Sequence, residues 1–423
     1  MTLARTAAAL LSQMARGFPV IAITGPRQSG KSTLAREAFP RHPYITLEDP
    51  DTRALARADP RRFLARFPNG AVLDEVQRVP ELLSYLQGRV DASQRMGEFV
   101  ITGSQQFGVM DGITQSLAGR VGLLQLLPLS NPELQPSPSA GASLEDRMWR
   151  GGYPALHAQL RDLSPPIWFA GYVGTYLERD VRQVLNVANL ALFQRFVRMC
   201  AARSGQLLNL NSLAADCGIS QPTARQWLTV LQASYVLTLL PPYHRNFGKR
   251  LVKTPKLYFL DTGLLCHLLR VPDALALQTH AMRGAIFETW VVTEVIKHRF
   301  NLGLAADLYF WRDNHGTEVD LVFEDGGQLQ AVEIKSGTTF ALDWLSTPRR
   351  WSAMAGEGAA KPIVVYGGAE SFELNEARVT SWRAIRGGEL KTFNSPPQST
   401  PRAGLRPARP PRGIKESGKA TFP

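Results

Sequence analysis

Residues 20–33 decide the fold of this chain, and they read VIAITGPRQSGKST. A short apolar run ends at a glycine, which is typical of a buried strand, and residues 34–39 have the composition of a helix start. Between them lies the spacing G-x-x-x-x-G-K-S. Its glycines let the backbone curl so that amide groups and the helix N-terminus face phosphate groups. We therefore predict a strand, a phosphate-binding loop and a helix; the alternative is a glycine-rich turn without function.

The polar side chains of this loop predict its ligands. Lys31 is expected to reach the outer phosphates of ATP, and Ser32 offers a hydroxyl group to Mg²⁺. ATP and Mg²⁺ are therefore the expected cofactors. The predicted nucleotide-binding residues are Gly25, Pro26, Arg27, Gln28, Ser29, Gly30, Lys31, Ser32 and Thr33, joined by Thr102 and Ser104 from a later strand.

An acidic pair follows the next strongly apolar segment, residues 71–76, which read AVLDEV. In phosphate-loop ATPases the first acid after such a strand holds Mg²⁺, and the second polarises the attacking water. Asp74 is therefore a predicted metal ligand, and Glu75 is a predicted catalytic residue.

Small polar residues end another apolar strand, residues 99–104, which read FVITGS. Beside the two acids, Thr102 and Ser104 can sense the γ-phosphate or orient water; alternatively, they cap the next segment. Strands alternate here with helical segments at residues 51–66 and 81–95. This order predicts an α/β fold with a parallel sheet and a ligand at the carboxyl ends of the strands.

Three runs carry a resemblance to a known family: residues 73–80 (LDEVQRVP), 101–107 (ITGSQQF) and 116–120 (SLAGR). The sequence resembles the prokaryotic AAA-type ATPases whose C-terminal half is a domain of unknown function with a restriction-endonuclease-like core. The similarity extends from residue 24 to about residue 386 in the expected order. It implies a P-loop ATPase that forms a nucleotide-dependent homo-oligomer.

The resemblance also implies a catalytic arginine. In AAA-type enzymes an arginine often completes the γ-phosphate site, frequently in a neighbouring subunit. Arg120 is the first candidate and Arg179 the second. Either residue can instead be a structural ion-pair partner.

The middle of the chain has two predicted parts. Residues 131–195 are a helical connector, whose aromatic residues are expected to pack rather than to stack on bases.

Residues 196–265 have a short helix, a turn at Gly218 and a second amphipathic helix between strands, which is the pattern of a winged helix-turn-helix. Its candidate DNA contacts are Gln221, Arg225 and Gln226 on the second helix, and Arg245, Lys249, Arg250 and Lys253 in or beside the wing. Winged helices can also be inert lids.

A second chemical motif lies in residues 280–386. Strands at 317–323 and 329–335 place Asp320 near Glu333 and Lys335 if they form a hairpin, because side chains alternate along a strand. Two acids gather a divalent cation, and a lysine stabilises phosphate charge. This D…E-x-K pattern, with Glu288 as an additional acid on an upstream helix, is the signature of the restriction-endonuclease-like fold. The predicted metal ligands are Glu288, Asp320 and Glu333, and Lys335 is predicted to be catalytic.

The amino-acid composition bears on the cellular location of the protein and on its C-terminal segment. No apolar run approaches the roughly 18 residues of a membrane helix, and the three cysteines have no metal-binding spacing, so we expect a cytoplasmic protein without a membrane partner. The net charge is +12, and residues 386–423 hold eight Lys or Arg against two Glu. We expect residues 387–423 to be a disordered basic tail that attracts nucleic acid or has no role.

These parts predict an ATPase domain in residues 1–130 that is coupled to DNA binding and DNA cleavage by the C-terminal domain. The alternative is a nucleotide-gated binding switch. In that case the nuclease-like fold is catalytically silent and engages protein or nucleic acid.

Overall fold

The computed structural model of the chain describes residues 3–104, 116–135, 141–158, 163–177, 190–243 and 252–385. Several predicted features lie outside these ranges. They are residues 105–107, Arg179, Arg245, Lys249, Arg250 and the tail at 387–423.

The first part of the chain is a five-stranded parallel sheet with the order β2-β3-β4-β1-β5. Its strands are β1 (Val20–Thr24), β2 (Tyr44–Thr46), β3 (Ala71–Asp74), β4 (Phe99–Gly103) and β5 (Val121–Gln125). Its helices are α1 (Ala8–Gly17), α2 (Lys31–Ala38), α3 (Pro50–Ala58), α4 (Pro60–Ala65), α5 (Leu82–Ser93) and α6 (Asn131–Leu134). The predicted α/β fold with a parallel sheet is confirmed, and β5 is a strand that the sequence pattern did not reveal.

Both faces of this sheet are covered. Alternate residues of β1 belong to two different apolar clusters, with Val20 in one and Ile21 in the other. All five residues of β1 are buried, as expected for the strands of a parallel sheet between helices. The carboxyl ends of β1 and β3 lie on the same edge of the sheet, separated by β4.

The helical segment predicted at 51–66 is two helices. Asp49 caps α3 by accepting a hydrogen bond from the Thr52 amide at 2.8 Å. The chain then turns at Asp59, which caps α4 in the same way, because Pro60 lacks the amide hydrogen that a continuous helix needs.

The second part of the chain is largely helical. Its helices are α7 (Leu144–Arg150), α8 (Pro165–Tyr172), α9 (Leu190–Ala201), α10 (Leu210–Cys217), α11 (Gln221–Ala233), α12 (Thr262–Leu268) and α13 (Ala274–Gln278), and its strands are β6 (Leu237–Leu240) and β7 (Lys256–Phe259). The connector aromatics pack together, with the rings of Tyr153 and Trp168 4.8 Å apart.

The predicted helix–turn–helix elements are present. Gly218 ends α10 with a φ of 70°, a conformation that glycine adopts without strain. The Ser220 side chain then accepts a hydrogen bond from the Thr223 amide and begins α11. Strands β6 and β7 pair antiparallel after it. The helices and the strand pair match the prediction, and the assignment as a winged helix stays a prediction.

The third part of the chain is a mixed six-stranded sheet with the order β12-β13-β11-β10-β9-β8. The long helix α14 (Arg283–Asn301) precedes it, and α15 (Ser346–Ala355) packs on β10. The strands are β8 (Leu308–Arg312), β9 (Glu318–Asp325), β10 (Gln328–Lys335), β11 (Ile363–Tyr366), β12 (Phe372–Leu374) and β13 (Ala377–Ser381). The predicted helix at Glu288 and the predicted hairpin of β9 and β10 are confirmed; the restriction-endonuclease-like assignment stays a prediction.

Candidate functional site

The phosphate-binding loop leaves β1 at Gly25 and enters α2 at Lys31. Gly25 has a φ of 149°, and a Cβ atom there would lie 2.1 Å from the carbonyl oxygen of Leu126. Gly30 has a φ of 94° at the residue before the helix. Both positions therefore require glycine for a steric or conformational reason, which explains why the motif has this spacing.

The loop has polar groups that match a phosphate ligand. The Lys31 side chain is buried, and its Nζ donates hydrogen bonds to the carbonyl oxygens of Gly25 at 3.1 Å and Pro26 at 2.8 Å. The Ser29 hydroxyl is buried without a hydrogen-bond partner among the described residues. A buried ammonium group and an unsatisfied hydroxyl group in the same loop fit an anionic ligand.

Three further residues of the phosphate-binding loop were predicted to bind nucleotide: Arg27, Gln28 and Thr33. Arg27 forms an ion pair of 3.7 Å with Glu48, which also lies 3.9 Å from Arg78. Gln28 is exposed, with a φ of 64°, and Thr33 is half-buried in the first turn of α2.

Asp74, at the end of β3, lies beside the loop. Its Oδ1 accepts hydrogen bonds from the Ser32 hydroxyl at 2.8 Å and from Thr102, and its Oδ2 accepts one from the Tyr44 hydroxyl at 2.5 Å. Burial, and then the hydrogen bond to Asp74, raise the pKa of Tyr44 to about 12, so this phenol stays a donor. Ser32 and Asp74 are the oxygen ligands that Mg²⁺ prefers. No motif in the sequence points to Tyr44 as a partner of Asp74.

Glu75 lies in a left-handed backbone conformation directly after β3, with a φ of 59°. Its Oε2 accepts hydrogen bonds from Gln77 Nε2 at 2.5 Å and from Ser104 Oγ at 3.4 Å. Burial raises the pKa of Glu75, and the positive charges of Lys31 and Arg27 oppose that rise. Gln77 is a second residue that the sequence analysis missed, although it lies in the quoted LDEVQRVP run.

Arg5 holds the loop from outside the motif. Its guanidinium group donates to the carbonyl oxygens of Ser29 and Leu127, both at 2.7 Å, and pairs with Glu133 at 3.1 Å. The side chains of Arg5 and Glu133 are 6% and 2% exposed. One buried arginine therefore joins the segment before α1 to the phosphate-binding loop and to α6.

We expect Arg5→Ala to lower the free energy of unfolding by about 3 kcal/mol, because it removes the counter-ion of the buried Glu133 carboxylate and the arginine donor of two carbonyl groups. Urea unfolding followed by circular dichroism measures this change. Arg16→Ala is the matched control, since Arg16 is an exposed arginine on α1. Equal stability of the two variants would contradict the structural role of Arg5.

Arg120 does not reach the phosphate-binding loop of its own chain. It directly precedes β5, and its carbonyl oxygen accepts a hydrogen bond from Val20 at the start of β1. Its guanidinium group pairs with Asp91 at 2.5 Å. Because β1 and β5 are parallel, Arg120 lies at the amino edge of the sheet, whereas the loop follows the carboxyl edge. Arg120 therefore does not complete the nucleotide site of its own chain, and its predicted role toward a neighbouring subunit stays a prediction.

A second polar site lies in the mixed sheet, where the hairpin brings Asp320 to β10. The Oδ2 of Asp320 accepts a hydrogen bond from the Ile334 amide at 2.7 Å, and the Nζ of Lys335 lies 2.6 Å from Glu333 Oε1. Burial, followed by the charges of Glu288 and Glu333, raises the pKa of Asp320 well above its usual range. Burial also raises the pKa of Glu333, against the charge of Lys335.

Carboxylate oxygens of Glu288, Glu318 and Asp320 lie within 4.8 Å of one another. Such oxygen atoms suit a hard divalent cation. Glu333 is 6% exposed, and its Oε2 has no hydrogen-bond partner in the described part of the chain. Glu318 thus joins the predicted ligands; the sequence analysis quoted its strand without recognising it. We refer to these four residues as the acidic cluster.

Cationic and hydroxyl groups already contact the acidic cluster. Lys256 Nζ lies 3.0 Å from Glu288 Oε1 and also pairs with Glu318. The Tyr258 hydroxyl donates to Glu288 Oε1 at 2.5 Å. Lys256 and Tyr258 belong to β7, in the second part of the chain, so this contact joins two parts that the sequence analysis treated separately.

The outer face of α11 is open. Gln221, Arg225 and Gln226 are exposed, whereas Trp227 and Leu231 on the opposite face are buried. Lys253, before β7, is exposed as well. The predicted contact residues that the structure describes therefore lie at the surface.

Two mycobacterial proteins are similar to this chain over most of its length. They are the uncharacterized protein Mb2031c of Mycobacterium bovis and the uncharacterized protein Rv2008c of Mycobacterium tuberculosis. Each is 34% identical over 377 residues, which are 89% of this chain and 82% of the relative. This chain belongs to their family.

Three segments of the chain match known domain families. Residues 17–135 match an AAA domain. Residues 141–275 match a domain of unknown function (DUF8612), and residues 283–385 match another (DUF4143). The first of these matches covers the parallel sheet and the phosphate-binding loop described above. The chain therefore has a P-loop ATPase domain of the AAA type.

Two solved structures are similar to the chain at 14% identity. The Walker-type ATPase PABY2304 of Pyrococcus abyssi has a TM-score of 0.43, with 62% of this chain and 94% of that chain covered. The STAND protein PH0952 of Pyrococcus horikoshii, an ATPase with a tetratricopeptide repeat sensor, has a TM-score of 0.25, with coverage of 70% and 47%. At these TM-scores the two similarities do not establish a common fold.

Two further observations concern membrane-spanning helices and the cysteine residues. No helix in the described ranges has both the length and the apolar character needed to cross a membrane. Cys200, Cys217 and Cys266 are buried free thiols.

Proposed function

We propose that this chain binds ATP with Mg²⁺ and hydrolyses it at the phosphate-binding loop. The contact between Ser32 and Asp74 carries the proposal, because it joins the loop after β1 to the acid after β3 at one edge of the sheet. The AAA-domain match supports the same assignment.

Each residue has a proposed task. Lys31 and the amides of residues 25–33 bind the phosphates, and Ser32 and Asp74 hold Mg²⁺, which neutralises phosphate charge when bound. Thr102 orients Asp74 through its hydrogen bond. Glu75, held by Gln77 and Ser104, orients the attacking water and accepts its proton.

We further propose that the chain works as a nucleotide-dependent homo-oligomer in the cytoplasm, with Arg120 facing a neighbouring subunit. DNA is the proposed partner of the exposed face of α11, because Gln221, Arg225 and Gln226 supply donors that suit base edges and phosphates. The domain division predicted from the sequence belongs to this proposal.

We consider two alternative functions for the C-terminal domain. Asp320, Glu333 and Lys335 are the proposed nuclease residues, and their proximity in the β9–β10 hairpin supports DNA cleavage. The ion pairs of Lys256 with Glu288 and Glu318 favour a binding switch whose nuclease-like fold is silent in this conformation.

Purified protein should release phosphate from ATP in the presence of Mg²⁺, and EDTA should reduce the rate to background, because the phosphate charge is then unshielded. The assay is run with duplex DNA, with single-stranded DNA and without DNA; stimulation by either DNA supports the DNA partner. No Mg²⁺-dependent release under any of these conditions would contradict the proposed function.

The same preparations separate the two uses of the C-terminal domain. Plasmid is incubated with Mg²⁺ or Mn²⁺, with and without ATP. Cutting that is lost in the Asp320→Ala, Lys335→Ala double variant identifies a nuclease. Intact plasmid under every condition identifies the binding switch.

A further inference from the structure

Lys256 is a buried cation placed among carboxylates. Its side chain is 3% exposed, and its ammonium group contacts Glu288 and Glu318 and lies 5.6 Å from the centre of the Phe310 ring. Burial by itself lowers the pKa of Lys256, but the charges of the neighbouring carboxylates outweigh burial and raise it. This lysine is therefore a permanent positive charge inside the acidic cluster.

Cations already face the acidic cluster. Among the described residues they are Lys256, Arg312, whose Nη1 lies 3.1 Å from Glu318 Oε2, and Lys335, whose Nζ lies 2.6 Å from Glu333 Oε1. A divalent cation would bring two further positive charges close to these groups. It would also compete for the carboxylate oxygens that Lys256 contacts on Glu288 and Glu318.

The ammonium group and the carboxylates belong to different parts of the chain. Lys256 starts β7, where its backbone is fixed by pairing with Leu240 of β6 and by a bridge to Leu207. Glu288 lies on α14, and Glu318 on β9. Loss of the ammonium group from Lys256 would therefore remove the cation from the acidic cluster while leaving the carboxylates in place.

We propose that Lys256 is a built-in competitor for divalent metal ions at the acidic cluster. While its ammonium group contacts Glu288 and Glu318, the cluster binds Mn²⁺ or Mg²⁺ weakly. Withdrawal of Lys256 removes its ammonium group from one oxygen of each of these two carboxylates and raises metal affinity. The inference goes beyond the ATPase function and does not depend on it.

Mn²⁺ binding to nucleotide-free full-length protein tests this inference, with free Mn²⁺ measured by electron paramagnetic resonance. All proteins carry Asp74→Asn, so that the phosphate-binding loop offers no competing site. Lys256→Met should bind Mn²⁺ at least about tenfold more tightly than the protein with Lys256. Adding Glu318→Gln to Lys256→Met should remove this gain.

Two controls separate the position of the charge from its mere presence. Lys253→Met removes one positive charge from the exposed segment just before β7 and should leave Mn²⁺ affinity unchanged. Lys256→Arg keeps the charge and should remain a weak Mn²⁺ binder.

The inference is overturned if folded Lys256→Met binds Mn²⁺ no more tightly than the parent, or if the gain persists in the Glu318→Gln double variant. Should Lys256→Met unfold because its carboxylates lack a counter-ion, Mn²⁺ should restore its circular dichroism spectrum. An unfolded variant that saturating Mn²⁺ fails to restore also overturns the inference. ATP binding is measured separately on protein that retains Asp74, and it reports on the phosphate-binding loop independently of the acidic cluster.

Discussion

Lys31→Ala should lower kcat/KM for ATP hydrolysis by about 10²–10³-fold, because it removes the buried ammonium group that faces the triphosphate. Lys31 also donates to the carbonyl groups of Gly25 and Pro26, so it orders the loop before nucleotide arrives. Alanine is favourable in a helix, and α2 should therefore keep its fold. Affinity for a fluorescent ATP analogue and phosphate release measure the two losses.

Lys361→Ala is the matched control for this variant. Lys361 is exposed and lies in the C-terminal part of the chain, so its removal changes net charge equally without touching the loop. A Lys31→Ala protein with the activity of the Lys361→Ala protein would remove the basis of the ATPase assignment.

Glu75→Gln should separate hydrolysis from binding. The amide keeps the size of the side chain but cannot accept the proton of the attacking water, so we expect kcat to fall about 10²–10³-fold. ATP affinity should stay close to that of the unmodified chain, because Glu75 does not hold phosphate or Mg²⁺ in the proposed mechanism. Glu81→Gln, an exposed substitution in the same stretch, is the control and should retain full activity.

The pH profile gives an independent measure of Glu75. Only its carboxylate form accepts a proton, and burial raises its pKa above the ordinary glutamate value. As the pH falls, kcat should therefore begin to decline at a higher pH than an ordinary glutamate would give. The decline should be absent from the residual activity of Glu75→Gln. A wild-type profile without this acidic limb would argue against Glu75 as the proton acceptor.

The phosphate-binding residues could be recognised from the sequence because local backbone conformation and local strand burial require them. The positive φ values at Gly25 and Gly30 need glycine, and the acid at Asp74 directly ends an apolar strand. Each of these requirements acts within a few residues, so the residue pattern and its spacing are enough to predict the loop and the acid. The hairpin that brings Asp320 beside β10 could be predicted for the same reason, because it joins two neighbouring strands.

Residues that reach a site from distant segments were missed. Arg5 contacts the loop from before α1, Tyr44 contacts Asp74 from β2, and Lys256 enters the acidic cluster from β7. No spacing rule links these positions. The position of Arg120 at the amino edge of the sheet could not be predicted either, because the sequence pattern did not reveal β5.

The sequence by itself determined the parallel α/β sheet, the glycine-dependent loop and the acid at the end of β3, because each follows from backbone conformation and strand burial over short stretches. Only the tertiary structure decided which side chains from other elements complete the two sites. Packing brought Arg5 to Ser29 and placed Lys256 between Glu288 and Glu318. Such contacts depend on the burial of whole faces, and the charge balance they create is visible only when distant segments meet.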